Sequence, residues 1–314
     1  MTTSARFEGL DRAGLPARPL HLAIGIFDGV HLGHRAVLES AVQSARRSSG
    51  VSAVLTFSPH PSVLFNPQNP VRMILDMRSK IRMLGSIGVE AVIVQPFDAA
   101  FAAVTAEEFV PMLKRKLPYL ASVYVGQNWR FGRGRKGDVA FLVEEGRRLG
   151  VGVYDAPRVS FDGGPISSTA IRACLQSGDM GGAAARLGYT YFAEGSIVHG
   201  KHLGRTIGFP TLNLAWAPDL RPRFGVYAVR VSGGKSVDPL PAVANYGLRP
   251  TVESTEEPRL EVHVLAPCSY HDGDSITVEW VRFIRPEMKF AGLDELKAQI
   301  ALDAATARAE FSLP

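Results

Sequence analysis

The hydrophobic pattern of this chain changes kind near Gly188, and that change constrains the fold more than any single motif. Before it, short apolar runs alternate with segments of helical period. Residues 20–26, 52–57, 91–94 and 122–125 read as strands, and residues 34–47, 78–87, 106–117 and 139–149 read as helices. Strand and helix in succession, with glycine-rich crossings, predict a doubly wound parallel sheet. After Gly188 the apolar runs are short and alternating, at 196–198, 225–231, 242–244, 260–265 and 275–283. Turn residues separate them, and no helical period returns until 293–311. That pattern predicts a small antiparallel barrel or sandwich with a C-terminal helix. The expected class is therefore α/β, with a parallel-sheet domain over 1–186 and an antiparallel β-barrel domain over 187–314. Helices within 171–187 bridge the two.

Composition narrows the classes of function. The 314 residues are 46% hydrophobic, enough for two ordinary cores. The first dozen residues are the one stretch that reads as a tail. Residues 1–18 have no apolar run of the signal-peptide kind, and no segment approaches the ~20 apolar residues of a spanning helix. A soluble, cytoplasmic protein without a membrane partner is expected. Cys174 and Cys268 are the only cysteines and lie far apart, which predicts two free thiols and argues against zinc. The net charge of +5 is scattered, with one dense cluster at Arg130, Arg133, Arg135 and Lys136. Nucleotide phosphates account for that cluster as well as nucleic acid does. Aromatics at 9% are thin for base stacking, so no nucleic-acid partner is expected.

Two anion-handling motifs lie far apart in the chain. His31-Leu32-Gly33-His34 follows a strand and opens a helix, where unpaired N–H groups and the helix dipole favour phosphate. Two histidines three residues apart can address one phosphate group; a metal-binding pair or a surface turn are the plainer alternatives. Downstream, Gly200, Gly204 and Gly208 flank Lys201, His202 and Arg205 and run into Pro210-Thr211-Leu212-Asn213. On an extended strand Thr211 and Asn213 point to one face, where their oxygens suit Mg²⁺ and a phosphate. Two such motifs suggest two successive ATP-dependent steps.

Other patterns are weaker. The run 126–137 contains a formal G-x-G-x-x-G, but in a late strand–helix unit and crowded with basic side chains, so a basic substrate-phosphate loop is the better reading. Gly195 to His202 nearly matches a P-loop but lacks its Ser or Thr and the helix that should follow. Ser167-Ser168-Thr169 with Arg172 reads on spacing alone as a helix cap, and otherwise as a β,γ-phosphate site. Glu261 and His263 share a strand face, either as a polar outer surface or with Glu261 as a general base.

Together these stretches resemble the bacterial bifunctional riboflavin kinase/FMN adenylyltransferase family. The resemblance runs through Gly25–His34, Thr56–Pro61, Asn128–Gly137, Ser167–Arg172, Gly208–Asn213, Asn245–Val252 and Phe283–Phe290, in that order. It implies a Rossmann-like nucleotidyltransferase domain followed by a riboflavin-kinase barrel. ATP would phosphorylate riboflavin to FMN, and a second ATP would adenylylate FMN to FAD with release of pyrophosphate. By this resemblance His31 and His34 would be catalytic at the α-phosphate, and Phe27, Gly29, Ser168, Thr169 and Arg172 would bind ATP. Asn128 and Phe131 would contact the flavin. In the barrel Glu261 would be the base, with Gly200, Lys201, Gly208, Thr211 and Asn213 at ATP. Thr211 and Asn213 would hold Mg²⁺, and Arg285 would steady the flavin. The chain departs from the family at Asn128-Trp129, where an acid and Phe are frequent, and after Glu261, where Val264-Leu265-Ala266-Pro267 and Asp272-Gly273-Asp274-Ser275 replace the usual residues. An adenylyltransferase with a kinase-inactive flavin-binding barrel is the alternative. A basic flavin- or RNA-binding regulator and another nucleotidyltransferase stand further off.

Overall fold

The computed structural model describes residues 4–200, 208–234, 236–248 and 258–312. The chain divides into two compact units, Met1–Ser168 and Thr169–Pro314.

The first unit is built on a six-stranded sheet: β1 (Ala5–Glu8), β2 (Leu20–Ile24), β3 (Val51–Ser58), β4 (Ala91–Pro96), β5 (Leu120–Gly126) and β6 (Gly152–Ala156). The spatial order is β1-β4-β3-β2-β5-β6, and every pairing is parallel. The crossovers include α1 (Leu32–Arg47), α2 (Pro61–Phe65), α3 (Met77–Ile87), α4 (Ala99–Ala103), α5 (Ala106–Lys116) and α6 (Val139–Arg148). β2 and β3 are buried almost throughout because helices cover both faces, so they read as continuous apolar runs. Capping sets the helix starts. Asp76 accepts from the Ser79 N–H, and Thr105 and Glu108 form a reciprocal capping box. A two-stranded ribbon, β7 (Ser160–Phe161) and β8 (Gly164–Pro165), follows β6.

Two edge strands depart from the sequence reading. Residues 5–8, within the expected tail, pair with β4 as β1; Ala5-Arg6-Phe7-Glu8 does alternate, but four residues are too short to signal a strand alone, and the neighbour's free edge supplies the template. β6 was likewise not expected. Its half-exposed residues Gly152–Ala156 give little hydrophobic signal.

The chain runs outward from β2 through β3 to β4, then returns to β5 on the other side of β2. The direction reverses there, so a crevice opens beyond the carboxyl ends of β2 and β5, where ligands of doubly wound sheets bind.

The second unit begins with α7 (Ser168–Ser177), whose first residue closes the first unit, and α8 (Met180–Leu187). A closed barrel follows: β9 (Phe192–Val198), β10 (Leu212–Leu214), β11 (Gly225–Gly233), β12 (Ser236–Gly247), β13 (Arg259–Val264) and β14 (Ser275–Arg285). Its order is β10-β13-β12-β11-β14-β9, with β9 returning to β10. Alternate residues fill the lumen: Tyr227, Tyr246 and Trp280 are fully buried, the Tyr227 and Trp280 rings meeting edge to face at 4.5 Å. The last helix, α9 (Leu293–Glu310), packs Ala307 against Val226, Ala228 and Val243 on the barrel's outer face.

Candidate functional site

The first unit's site grows from the turn after β2. Phe27 and Val30 take φ of 50° and 40°, and Gly29 78°. For Phe and Val this left-handed region is strained, so the surroundings must hold it. Asp28 does much of this. Its carboxylate, 1% exposed, accepts the Ile74 N–H at 2.9 Å and the Leu75 N–H at 3.4 Å. The Ser168 hydroxyl donates to the Asp28 carbonyl at 3.0 Å. Just upstream, the Ile26 carbonyl accepts from the Thr56 hydroxyl at 3.1 Å and from Lys80 Nζ at 3.0 Å.

The braced turn delivers His31 as the N-cap of α1, so the helix starts at Leu32, two residues before the expected start. His31 Nδ1 accepts the His34 N–H at 3.2 Å. The two imidazoles stack with centroids 3.5 Å apart, and Phe27 meets His34 edge-on at 5.4 Å. A Cβ on Gly33 would come within 3.2 Å of the His31 ring, so a side chain there would crowd the pair. Burial holds the His34 pKa well below its usual value, and the charges of His31 and Lys80 push the same way. His34 is thus neutral, and its enclosed Nδ1 has no hydrogen-bond partner. A neutral His34 beside His31 at a helix N-terminus can donate to an anion without itself becoming a charged acid.

Four strand ends contribute to one cavity of about 710 Å³. Gly25 and Ile26 come from beyond β2, His60 from beyond β3, Phe97 and Phe101 from beyond β4, and Asn128 to Arg135 from beyond β5. Asn128 and Phe131, both expected at the flavin, line it. Trp129 stacks on Phe131 at 4.7 Å, and the Asn128 amide oxygen accepts from the Arg158 guanidinium. The sequence reading missed Phe57, Phe97, Phe101 and Phe109 as cavity residues. Each reads as core in its own segment, and only the shared strand-end geometry joins them.

The formal G-x-G-x-x-G does not make a dinucleotide turn. Phe131 and Gly137 bridge to each other across the loop. α6 starts only at Val139, with the Asp138 carboxylate accepting the Phe141 N–H at 3.0 Å, so an acid occupies the helix N-terminus that a pyrophosphate would need. The Ser168 hydroxyl, expected at the ATP phosphates, stands at the start of α7 and donates to the Asp28 carbonyl. Thr169 and Arg172 follow on α7 and belong to the second unit.

In the barrel, register brings separated motifs together. Asn213 on β10 lies opposite Glu261 on β13, and Glu261 lies opposite Asn245 on β12. Their neighbours Leu260 and Val262 point inward and are fully buried, so the row Asn213, Glu261, Asn245 lies on the outer face. The Asn213 Oδ1 is enclosed and has no hydrogen-bond partner. Gly200 lies so close to the Asn213 amide that any side chain there would collide with it. Thr211 directly precedes β10. His263 Nδ1 is 2.8 Å from the Pro210 carbonyl, which pins the segment leading to Thr211. His263 therefore braces the strand, and Glu261 is the acid–base candidate of that face. Gly195 is inside β9, which ends the P-loop reading. Gly208 is in the left-handed region at φ 89°, whereas Lys201 and the rest of 201–207 lie outside the described residues. So does 249–257, which holds the end of the Asn245–Val252 motif.

Arg285, expected to steady the flavin, forms an ion pair within the barrel unit. Its Nε and Nη2 donate to the two carboxylate oxygens of buried Asp303 at 2.8 and 2.7 Å. This bidentate pair clamps α9 to β14. The departing segment after Glu261 is ordered: Leu265 joins the core under α9, and Asp272-Gly273-Asp274 turns into β14 with the Gly273 N–H on the Ile197 carbonyl at 2.8 Å.

Among the described residues no three His, Cys, Asp or Glu side chains converge on a metal position. The donors at Thr211 and Asn213 are neutral oxygens, one unsatisfied, which fits Mg²⁺ held jointly with substrate phosphates. Cys174 and Cys268 are free thiols, as expected. No helix among the described residues is long and apolar enough to cross a membrane.

A parallel sheet with a histidine-capped helix at its switch point, joined in one chain to a barrel bearing an amide–carboxylate row, defines a two-site enzyme of nucleotide chemistry. Residues 16–170 match the FAD synthetase family model and residues 187–311 the riboflavin kinase model. The chain is 41% identical over 292 residues to the bifunctional riboflavin kinase/FMN adenylyltransferase of Escherichia coli K12, covering 93% of each chain. It is 38% identical to the protein of that name from Haemophilus influenzae, over 97% of this chain and 98% of that one. A crystal structure of a macrolide-efflux protein from Streptococcus pneumoniae superposes with a TM-score of 0.86 at 29% identity, covering 98% of this chain and 99% of that one. The chain belongs to the bifunctional riboflavin kinase/FMN adenylyltransferase family.

Proposed function

We propose that this enzyme phosphorylates riboflavin to FMN with ATP in its barrel, then adenylylates FMN to FAD with release of pyrophosphate in its parallel-sheet unit. The observation that carries the kinase half is the enclosed, unpartnered Asn213 Oδ1 in register with Glu261. It supports a working phosphoryl-transfer site over an inert flavin-binding barrel. Glu261 accepts the proton of the riboflavin 5′-hydroxyl as that oxygen attacks the γ-phosphorus. Thr211 and Asn213 hold Mg²⁺, which neutralises charge on the ATP phosphates when bound. Gly200, Lys201 and Gly208 belong to the phosphate loop.

Adenylyl transfer needs no protein nucleophile, since an FMN phosphate oxygen attacks the α-phosphorus directly. Catalysis there is positioning and charge stabilisation. His31 and His34 bind the α-phosphate and leaving-group oxygens, with Phe27 and Gly29 shaping the turn. Ser168 braces that turn, while Thr169 and Arg172 hold the departing pyrophosphate. The aromatic cavity with Asn128 and Phe131 takes the flavin.

We place the functional boundary near residue 186, which the start of the riboflavin kinase match at 187 supports. The free cysteines support a reducing, cytoplasmic setting. Chromatographic analysis of flavins formed from riboflavin, ATP and Mg²⁺ tests the whole reading. FMN rising and then giving way to FAD is the expected course. FAD from supplied FMN, without FMN from riboflavin, would leave only the adenylyltransferase.

A further inference from the structure

Lys80 is a buried charge to which the proposed roles assign no part. It lies on α3, is 1% exposed, and donates from Nζ to the Ile26 carbonyl at 3.0 Å. The Thr56 hydroxyl already serves that carbonyl at 3.1 Å, so the ammonium is not needed to satisfy it. An interior ammonium is costly to desolvate, and an apolar side chain of the same length would fill the space more cheaply. The charged and titratable groups facing it are Asp28 of the braced turn, and His34 with its stacked neighbour His31 at the start of α1. The Asp28 carboxylate is itself held by the Ile74 and Leu75 N–H groups, so the turn and the cation are organised together.

We propose that Lys80 is a positioning residue for adenylyl transfer, fixing the carbonyl end of β2 from α3 and setting a positive charge beside the His31–His34 pair. This rests on reading that pair as the adenylyl-transfer site. In a water-poor interior such a charge is little screened, so it draws the nucleotide phosphates toward the imidazoles and disfavours a second cation on His34. Burial brings the Lys80 pKa down to about 8, while the Asp28 charge opposes the loss of its proton. The charge therefore disappears as pH rises through about 8.

The test compares the full-length wild type with Lys80→Met, measuring FAD formation from supplied FMN and FMN formation from riboflavin between pH 6.5 and 10. In the variant, kcat for FAD formation is expected to fall roughly 10- to 100-fold with KM for FMN within about twofold and riboflavin phosphorylation unchanged. The wild-type rate should decline above pH 8, and the variant profile should lack that limb. An unchanged kcat, the same alkaline limb in the variant, or parallel loss of both activities with a lowered melting temperature would each overturn the role. If Lys80→Met does not fold, the wild-type profile decides, and a rate level through pH 8 to 10 refutes the proposal. A wild type that makes no FAD at any pH would instead strike the adenylyl-transfer reading itself.

Discussion

The two candidate sites, proposed to take the same cosubstrate, have opposite electrostatics. In the parallel-sheet unit the proposed reacting face is a buried, braced turn carrying the stacked His31 and His34 rings, His34 neutral, and an interior ammonium, while the Asp28 carboxylate is turned onto backbone N–H groups. In the barrel the face is partly open and carries a carboxylate between two amides. The difference follows from the nucleophile in each proposed step. A phosphate oxygen of FMN is already an anion, so the first site needs only to attract and orient. A riboflavin hydroxyl must lose its proton, so the second needs a base. Their rigidity differs in the same sense. The first relies on strained backbone over-determined by hydrogen bonds, whereas the second relies on strand register, which places Asn213, Glu261 and Asn245 without strain.

The largest expected effect comes from His31→Ala. It should lower FAD formation from FMN roughly 10²- to 10⁴-fold and leave riboflavin phosphorylation within about twofold. Loss of both activities would break the separation of the sites. Glu261→Gln should do the converse, lowering FMN formation roughly 10²- to 10³-fold with adenylylation intact. Steady-state rates on each substrate pair decide it, and retention of FMN formation would remove Glu261 as the base.

Arg285→Ala sharpens the barrel side. If its work is the buried pair with Asp303, denaturant unfolding of the barrel unit should weaken by about 3–5 kcal/mol. A raised KM for riboflavin at unchanged stability would return Arg285 to the flavin. A smaller effect is expected from acid. His34 is neutral when folded but titrates near 6.5 when unfolded, so below that pH the unfolded chain binds the proton first. Its contribution to stability is complete above pH 6.5 and is lost as pH falls toward the lower folded value. Melting curves of wild type and His34→Gln from pH 7.5 to 5.5 should show the shallower pH slope in the variant.

Much of this molecule was legible from pattern alone. The change of period near Gly188 separates the parallel sheet from the barrel because crossover helices and antiparallel strands have different periods, 3.6 and 2. The His31 and His34 motif was legible because a helix N-terminus is a local structure, and Thr211, Asn213 and Glu261 because alternation shows which residues share a strand face. What depended on partners distant in sequence was not. β1 exists because β4 offers it an edge. The aromatic cavity exists because the ends of four strands meet. Ser168 and Arg285 carry side chains suited to ligands, and the fold also gives the first a carbonyl 140 residues away and the second a carboxylate 18 residues away. Lys80 falls in the helix expected over 78–87, and only packing encloses it beneath Ile26. The sequence by itself therefore determined the two architectures and where the candidate motifs fall on them, since short-range periodicity and local capping specify both. Only the tertiary structure decided which neighbour each polar group meets, because partners distant in sequence are brought together by the fold alone.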